Sequence, residues 1–421
     1  MASAMEYLEE LQVAALTAEY GAGYVKRLAE EQAFLDSRKQ KEFHQARRNS
    51  ILDGLSELQR KTRRFIMSRG ETDKFLTTQS EVEEARRRVS ERRYSQVESP
   101  FFIDVIEAAR LRVEAGYNEM SAKLASKSGA PSKDYMALYK KVIIGSLPDM
   151  SFWASAIRVP GSEEYIIAFN AGLPQFLSRF SRILTRLAVL VPMKDVERLK
   201  FGSSESADHY AGLARAALRA PENEYVGKNF VGAIGDYFGF DFGMKYNHKE
   251  FFGADLMISE AKTISSEVFI LAHEYAHILD DHAIKQWQPL GIVRAVKKVE
   301  AGTFPKEVEF AADMVAAQIL LAPLRNLPDS APQQHREMLA DSLLRGMVHV
   351  FTCATLVEYF QDRLDRKPSV PSYHPSTSER LSLLVDLLDK ASFGRLPHNI
   401  ARSLALAEAL VDHFEDRYSS S

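Results

Sequence analysis

The sequence predicts a predominantly α-helical α+β fold, with long helices first and then a mixed domain holding a small sheet. Three observations carry this expectation. From Met5 to Val97 the chain is dense in Glu, Arg, Lys, Gln and Ala and has no proline. Apolar residues there recur at three- and four-residue steps (Leu8, Leu11 and Ala15, then Ile51, Leu55 and Leu58), the spacing of one helical face. The run EEYIIAFNAGLP, Glu163 to Pro174, is β-rich and ends in a turn signal, so it predicts a strand. Helical spacing returns over Phe176 to Leu190 and dominates from about Ser265 to the end.

The elements divide the chain into three regions. Residues 1–130 form a helical, coiled-coil-like N-terminal region. Within it EVEEARRRVSERR, Glu81 to Arg93, interleaves both charges, so it reads as a solvated face of a helical hairpin or coiled coil. An RNA-binding arm is disfavoured because the glutamates cancel the field of the arginines. Ser99-Pro100 breaks the pattern, and a further helix is expected from Phe102 to Lys127. SKSGAPSKD, Ser126 to Asp134, has the composition of a linker. Residues 131–395 form the mixed domain, and 396–421 a C-terminal helix and tail. Residues 221–262 are rich in Gly, Phe and Tyr and show no clean period, so no element is assigned there.

Composition limits the function. The 421 residues suggest two or three units at roughly 150 residues each. With 46% hydrophobic residues the chain can bury a sizeable core. A net charge of −3 gives no nucleic-acid footprint, so no nucleic-acid partner is expected. Cys353 is the only cysteine, which excludes intrachain disulfides and cysteine-ligated zinc fingers and suits a reducing, cytoplasmic location. The longest apolar run, Ile183 to Met193, is interrupted by Arg186 and Pro192, so no membrane span is expected. The acidic, amphipathic start MASAMEYLEELQ predicts no secretory signal.

The informative stretch is SSEVFILAHEYAHILDDH, Ser265 to His282. Its His273-Glu274-Tyr275-Ala276-His277 is an HExxH motif. Histidines at i and i+4 lie on one helical face, so both imidazoles can reach one zinc ion. Glu274 then lies beside the open position of the metal, where a carboxylate can take a proton from water. Burying this polar face among Val268, Phe269, Ile270, Leu271, Ile278 and Leu279 without a partner is costly.

Catalytic zinc takes a third protein ligand. His282 is nine residues beyond His273 and points to the opposite side of a continuous helix. EVEFAADMVAAQILL, Glu307 to Leu321, supplies a better one. Glu309 and Asp313 are four apart on one face of an apolar helix, where Glu309 can bind zinc and Asp313 can accept a hydrogen bond from a liganding histidine. Glu307 is the runner-up, nearer the helix start, where a glutamate favours capping. Downstream, PSYHPSTSERLSLL carries a Ser376–Glu379 capping box, which starts a helix near Thr377 and leaves His374 in the loop before it.

Together HEYAH (273–277), EFAAD (309–313) and HPSTSER (374–380) resemble, in their order, the motifs of the HtpX and CAAX-prenyl-endopeptidase superfamily of gluzincins. The resemblance covers about residues 150–395 and implies a zincin-like metallopeptidase domain. It implies one zinc ion per chain held by His273, His277 and Glu309, with Glu274 as general base. It further implies that Asp313 supports His273, that His374 stabilises the oxyanion and that Arg380 orients Glu309. Ile166 to Pro174 looks like the edge-strand segment of the family, which would put Asn170 near bound peptide by β-augmentation. The HtpX members carry transmembrane helices, which are not expected here, and the N-terminal region is unmatched. The HEYAH helix is also similar to the Lit-type phage-exclusion peptidases.

The expectation is a soluble zinc endopeptidase acting on a protein or peptide, with the N-terminal helices left for a partner or for self-association. The alternative is a non-catalytic zinc-binding scaffold acting through those helices.

Overall fold

The computed structural model describes residues 3–20, 100–128, 141–147, 152, 154–170, 172–191, 204–240, 244–247, 254–283, 306–322, 324, 333–364, 375–389 and 396–418. The expected helices between 21 and 99, the linker at 129–134 and His374 lie outside them. The predominantly helical α+β expectation holds, with ten α-helices and one three-stranded mixed sheet among the described residues.

Helix α1 (Ala4–Tyr20) opens on a capping box. Glu6 N–H donates to Ser3 Oγ at 3.3 Å, and Ser3 N–H to Glu6 Oε2 at 2.7 Å, so two amides of the first turn are satisfied. Its Ala4 and Leu8 pack on Ile166 and Ala168 of the sheet and on Val159 beside it, and Gln12 Nε2 donates to Ser146 O at 2.7 Å. Helix α2 (Pro100–Ser128) starts on proline, whose fixed φ suits a first helical position. Its buried stripe, Ile106, Ala109, Val113, Tyr117 and Met120, repeats at three and four residues.

Strands β1 (Val142–Leu147), β2 (Ala154–Arg158) and β3 (Tyr165–Asn170) form a sheet of order β1-β3-β2. β1 runs parallel to β3, with Leu147 opposite Asn170, and β2 runs antiparallel, with Ala156 opposite Ile167. β3 is therefore the central strand, which corrects the expected edge position. The reason is in its composition: YIIAFN has no polar alternation and is buried throughout, the signature of a strand covered on both faces. Among the described residues β1 and β2 are the edges, and the ASAIR of β2 is mostly half-buried.

Helix α3 (Gly172–Leu190) follows β3. Then come α4 (Ser204–Arg219), a 3₁₀ turn at Pro221–Asn223, and α5 (Glu224–Phe238), which ends on Gly239 at φ 72°. α5 went unassigned from sequence because its glycines blur the period. Two of them permit close packing: a Cβ on Gly227 would meet His413 Nε2 at 2.2 Å, and one on Gly232 would meet Tyr246 N at 2.6 Å. The remaining helices are α6 (Ala254–Ala283), α7 (Lys306–Leu320), α8 (Gln333–Arg363), α9 (Thr377–Asp389) and α10 (Leu396–Tyr418).

α6 is the spine. α2, α3, α7, α8 and the sheet pack around it, and one continuous hydrophobic core runs from Ile106 in α2 to Phe414 in α10. The boundaries expected at 130 and 396 are thus not boundaries of the core. Tyr117 of α2 donates its hydroxyl to Ala272 O at 2.9 Å, and Tyr275 donates to Glu114 Oε1 at 3.3 Å. Glu114 also accepts from Arg110 Nε at 2.6 Å. No described helix is long and apolar enough to cross a membrane.

A candidate metal centre

α6 is apolar for several turns before its motif, with Val268 to Ala272 all buried, so His273 and Glu274 are carried inside at 7% and 6% exposure. Opposite them α7 presents Glu309 and Asp313, exposed by 2% and 0%. Its Ala312, Ala316 and Ala317 are buried, and small side chains allow the helices to approach. Those two carboxylates face histidines, which answers the cost of placing them in an apolar helix.

The sequence-predicted ligands converge. His273 Nε2 and His277 Nε2 are 3.0 Å apart. Glu309 Oε2 is 3.4 Å from His273 Nε2, and Glu309 Oε1 is 3.5 Å from His277 Nε2. A tetrahedral site with ligands at about 2.0–2.1 Å has edges of roughly 3.3 Å. The three separations match that edge, so this His-His-Glu group could hold a metal ion.

Behind the ligands, Asp313 Oδ1 lies 2.9 Å from His273 Nδ1, by an approach oblique to the ring N–H. Arg380, in the first turns of α9, donates from Nε to Asp313 Oδ2 at 2.8 Å and from Nη2 to Oδ1 at 2.6 Å. Its nearest approach to Glu309 is 4.0 Å, so Arg380 orients Asp313 first, where Glu309 was expected. Its guanidinium also lies 5.3 Å from the centroid of the Phe351 ring. α9 starts at Thr377 as expected, behind a formed capping box in which Ser376 N–H donates to Glu379 Oε2 at 2.9 Å.

The electrostatics follow from burial and these pairs. Burial alone would lower the pKa of His273, but the adjacent carboxylates of Asp313 and Glu309 outweigh it and raise the pKa of the imidazole above its usual range. Burial and the charge on His273 push His277 the other way. A metal ion bound here competes with protons for the imidazole nitrogens, which makes affinity pH-dependent. Burial raises Glu274 to about 7, with Glu309 adding to the rise and His273, the Ala156 amide and Arg380 opposing it. Asp313 stays below the usual carboxylate range despite burial, because Arg380 and His273 stabilise its anion.

Asn170 closes the central strand at 8% exposure, and the side chains of His282 and Glu307 lie outside the described residues. Two features escaped the sequence reading. One is β2, whose Ala156 amide lies beside Glu274 and favours its anion; ASAIR is too short and too weakly patterned to announce an edge strand. The other is Glu267, an acid seven residues before Glu274 within an apolar run, a spacing that puts both on one helix face.

No protein-family model matches the chain, and no curated protein or solved structure matches it.

Proposed function

We propose that this chain is a zinc-dependent endopeptidase of the cytoplasm. The observation that carries this reading is the convergence of His273, His277 and Glu309 at tetrahedral spacing, with Glu274 adjacent and buried. The order of the three motifs, which resembles that of the gluzincins, supports it. Two imidazoles and one carboxylate suit zinc and leave an open position. When bound there, zinc supplies the Lewis acidity that makes water nucleophilic near neutrality and polarises a carbonyl.

The residues of the chain do the rest. Glu274 takes the proton of the attacking water and delivers it to the leaving amine. Asp313, held by Arg380, fixes the ring of His273 so that Nε2 faces the centre. β2 offers an edge beside Glu274 on which an extended peptide can lie. His374 is assigned to the oxyanion on the HPSTSER resemblance, and the N-terminal helices to a partner or to self-association.

The test has two parts. Elemental mass spectrometry of protein purified without added metal should find about one zinc per chain. A fluorogenic peptide library should then be cleaved by the wild type and not by Glu274→Gln. Zinc absent even after it is offered, or equal cleavage by the variant, would overturn the reading.

A further inference from the structure

Among the described residues, three of the five buried acids face a basic partner. Glu114 faces Arg110, Glu309 the two histidines, and Asp313 faces Arg380 and His273. Glu267 is 3% exposed, and its Oε2 is sealed from solvent with no hydrogen-bond partner. An unpaired acid in a core is costly, and proteins relieve that cost by neutralising the acid or by pairing it with a cation.

Its position suggests where the cation comes from. Seven residues of α-helix rise about 10.5 Å and fall about 20° short of two full turns, so Glu267 and Glu274 share one face of α6. Ile270 and Leu271 lie between them on that face, both buried and apolar.

We propose that Glu267 recognises a lysine or arginine side chain of a peptide lying along the Glu274 face of α6. This rests on the peptidase reading and deepens it by naming a substrate class. The chemistry matches in length and polarity. The stem of a lysine or arginine packs along an apolar wall such as Ile270 while its charge reaches an acid at the end. A free α-amine next to the scissile bond does not reach, because one extended residue spans only about 3.3 Å. Burial alone raises the Glu267 pKa to about 8, so the empty carboxyl is mostly protonated at neutral pH and ionises as the cation arrives. A site built around one buried acid discriminates strongly against a neutral isostere, which leaves that acid without a partner.

The test uses the full-length, zinc-loaded protein. Fluorogenic peptides differ at a single position, scanned on both sides of the cleaved bond, and carry lysine, arginine, norleucine or glutamate there. At one position lysine or arginine should raise kcat/KM at least tenfold over norleucine, and Glu267→Gln should lower that ratio at least tenfold. A second readout avoids turnover: in Glu274→Gln, millimolar acetyl-Ala-Lys-Ala-amide should raise Tm where the norleucine peptide does not, and adding Glu267→Gln should abolish the shift. Cleavage with no cationic preference, a preference that survives Glu267→Gln, or a response only to a free α-amine overturns the assignment. A Glu267-dependent Tm shift without cleavage of any peptide keeps the cation site and removes the peptidase reading. Neither cleavage nor a shift removes both.

Discussion

Arg380 grips Asp313 through both carboxylate oxygens, at 2.8 and 2.6 Å, and shares Oδ1 with His273 Nδ1. The candidate metal ligand, the acid beside it and the arginine that holds that acid therefore come from α6, α7 and α9. Removing the arginine leaves Asp313 a buried anion with only the histidine to face. Arg380→Ala should weaken zinc binding about 10- to 100-fold and cost about 3–5 kcal/mol of stability. Arg380→Lys should recover only part of either loss, because an ammonium cannot make the forked contact. Competitive zinc titration and denaturant melts check both, and an affinity unchanged in Arg380→Ala would contradict the relay.

Glu274 should be separable from metal binding. Its carboxylate is not among the converging ligand atoms, so Glu274→Gln should keep its zinc while hydrolysis falls by about 10²–10⁴-fold, the usual size of general-base catalysis. Loss of zinc in this variant, measured by elemental analysis, would instead make Glu274 a ligand.

Glu267 should make stability pH-dependent. Its folded pKa is raised to about 8 by burial, above the ordinary carboxylate value of 4.5. Between those values the folded state holds a proton that the unfolded state has lost. Its contribution is therefore fully present below 4.5 and disappears as pH rises through about 8, with a slope of at most about 1.4 kcal/mol per pH unit. Glu267→Gln should flatten this decline and be more stable than the wild type at pH 9. Urea melts from pH 4 to 9 test it, and parallel curves for the two proteins would rule out an acid so perturbed.

The helix crossings should depend on glycine. A Cβ on Gly346 of α8 would meet the carbonyl carbon of Ser265 in α6 at 2.2 Å, a backbone atom that cannot rotate away. Gly212 has nothing within 4 Å. Gly346→Ala should destabilise by about 1–3 kcal/mol. Gly212→Ala should be neutral or slightly stabilising. Thermal melts of the pair read the difference.

α2 should prove inseparable from the site. A chain beginning at Pro100 keeps Tyr117 and its bond to Ala272 O, and should bind zinc. A chain beginning at Asp134 loses five core side chains of α2 and should fail to fold or to bind. Tyr117→Phe, which removes only the hydroxyl, should cost about 1 kcal/mol.

What the sequence made legible was the spacing-governed part. HExxH, the Glu309–Asp313 pair and the Ser376 capping box each lie within one turn of helix, where spacing alone sets geometry. Asp313 was anticipated behind His273, yet its bond to Arg380 was assigned to Glu309, because both acids lie one turn apart on α7 and spacing alone does not choose between them. β3 was found as a strand, but its central place depends on β1 and β2, which pair with it across the fold. α5 was hidden by glycines whose purpose, contact with His413 and Tyr246, lies in distant segments. Glu267 was overlooked because a glutamate in a helix ordinarily faces water, and only tertiary packing seals it.

The β2 edge has one more consequence. An open strand edge is where one sheet can template another, and proteins blunt such edges with charge or cover. Among the described residues the sheet ends on this side at β2, and the Ala156 amide lies beside the Glu274 carboxylate. The acid proposed for chemistry therefore also sets a polar group beside that edge. A glutamine keeps an acceptor for that amide and an alanine does not, so two replacements equally fatal to hydrolysis would differ in their tendency to aggregate.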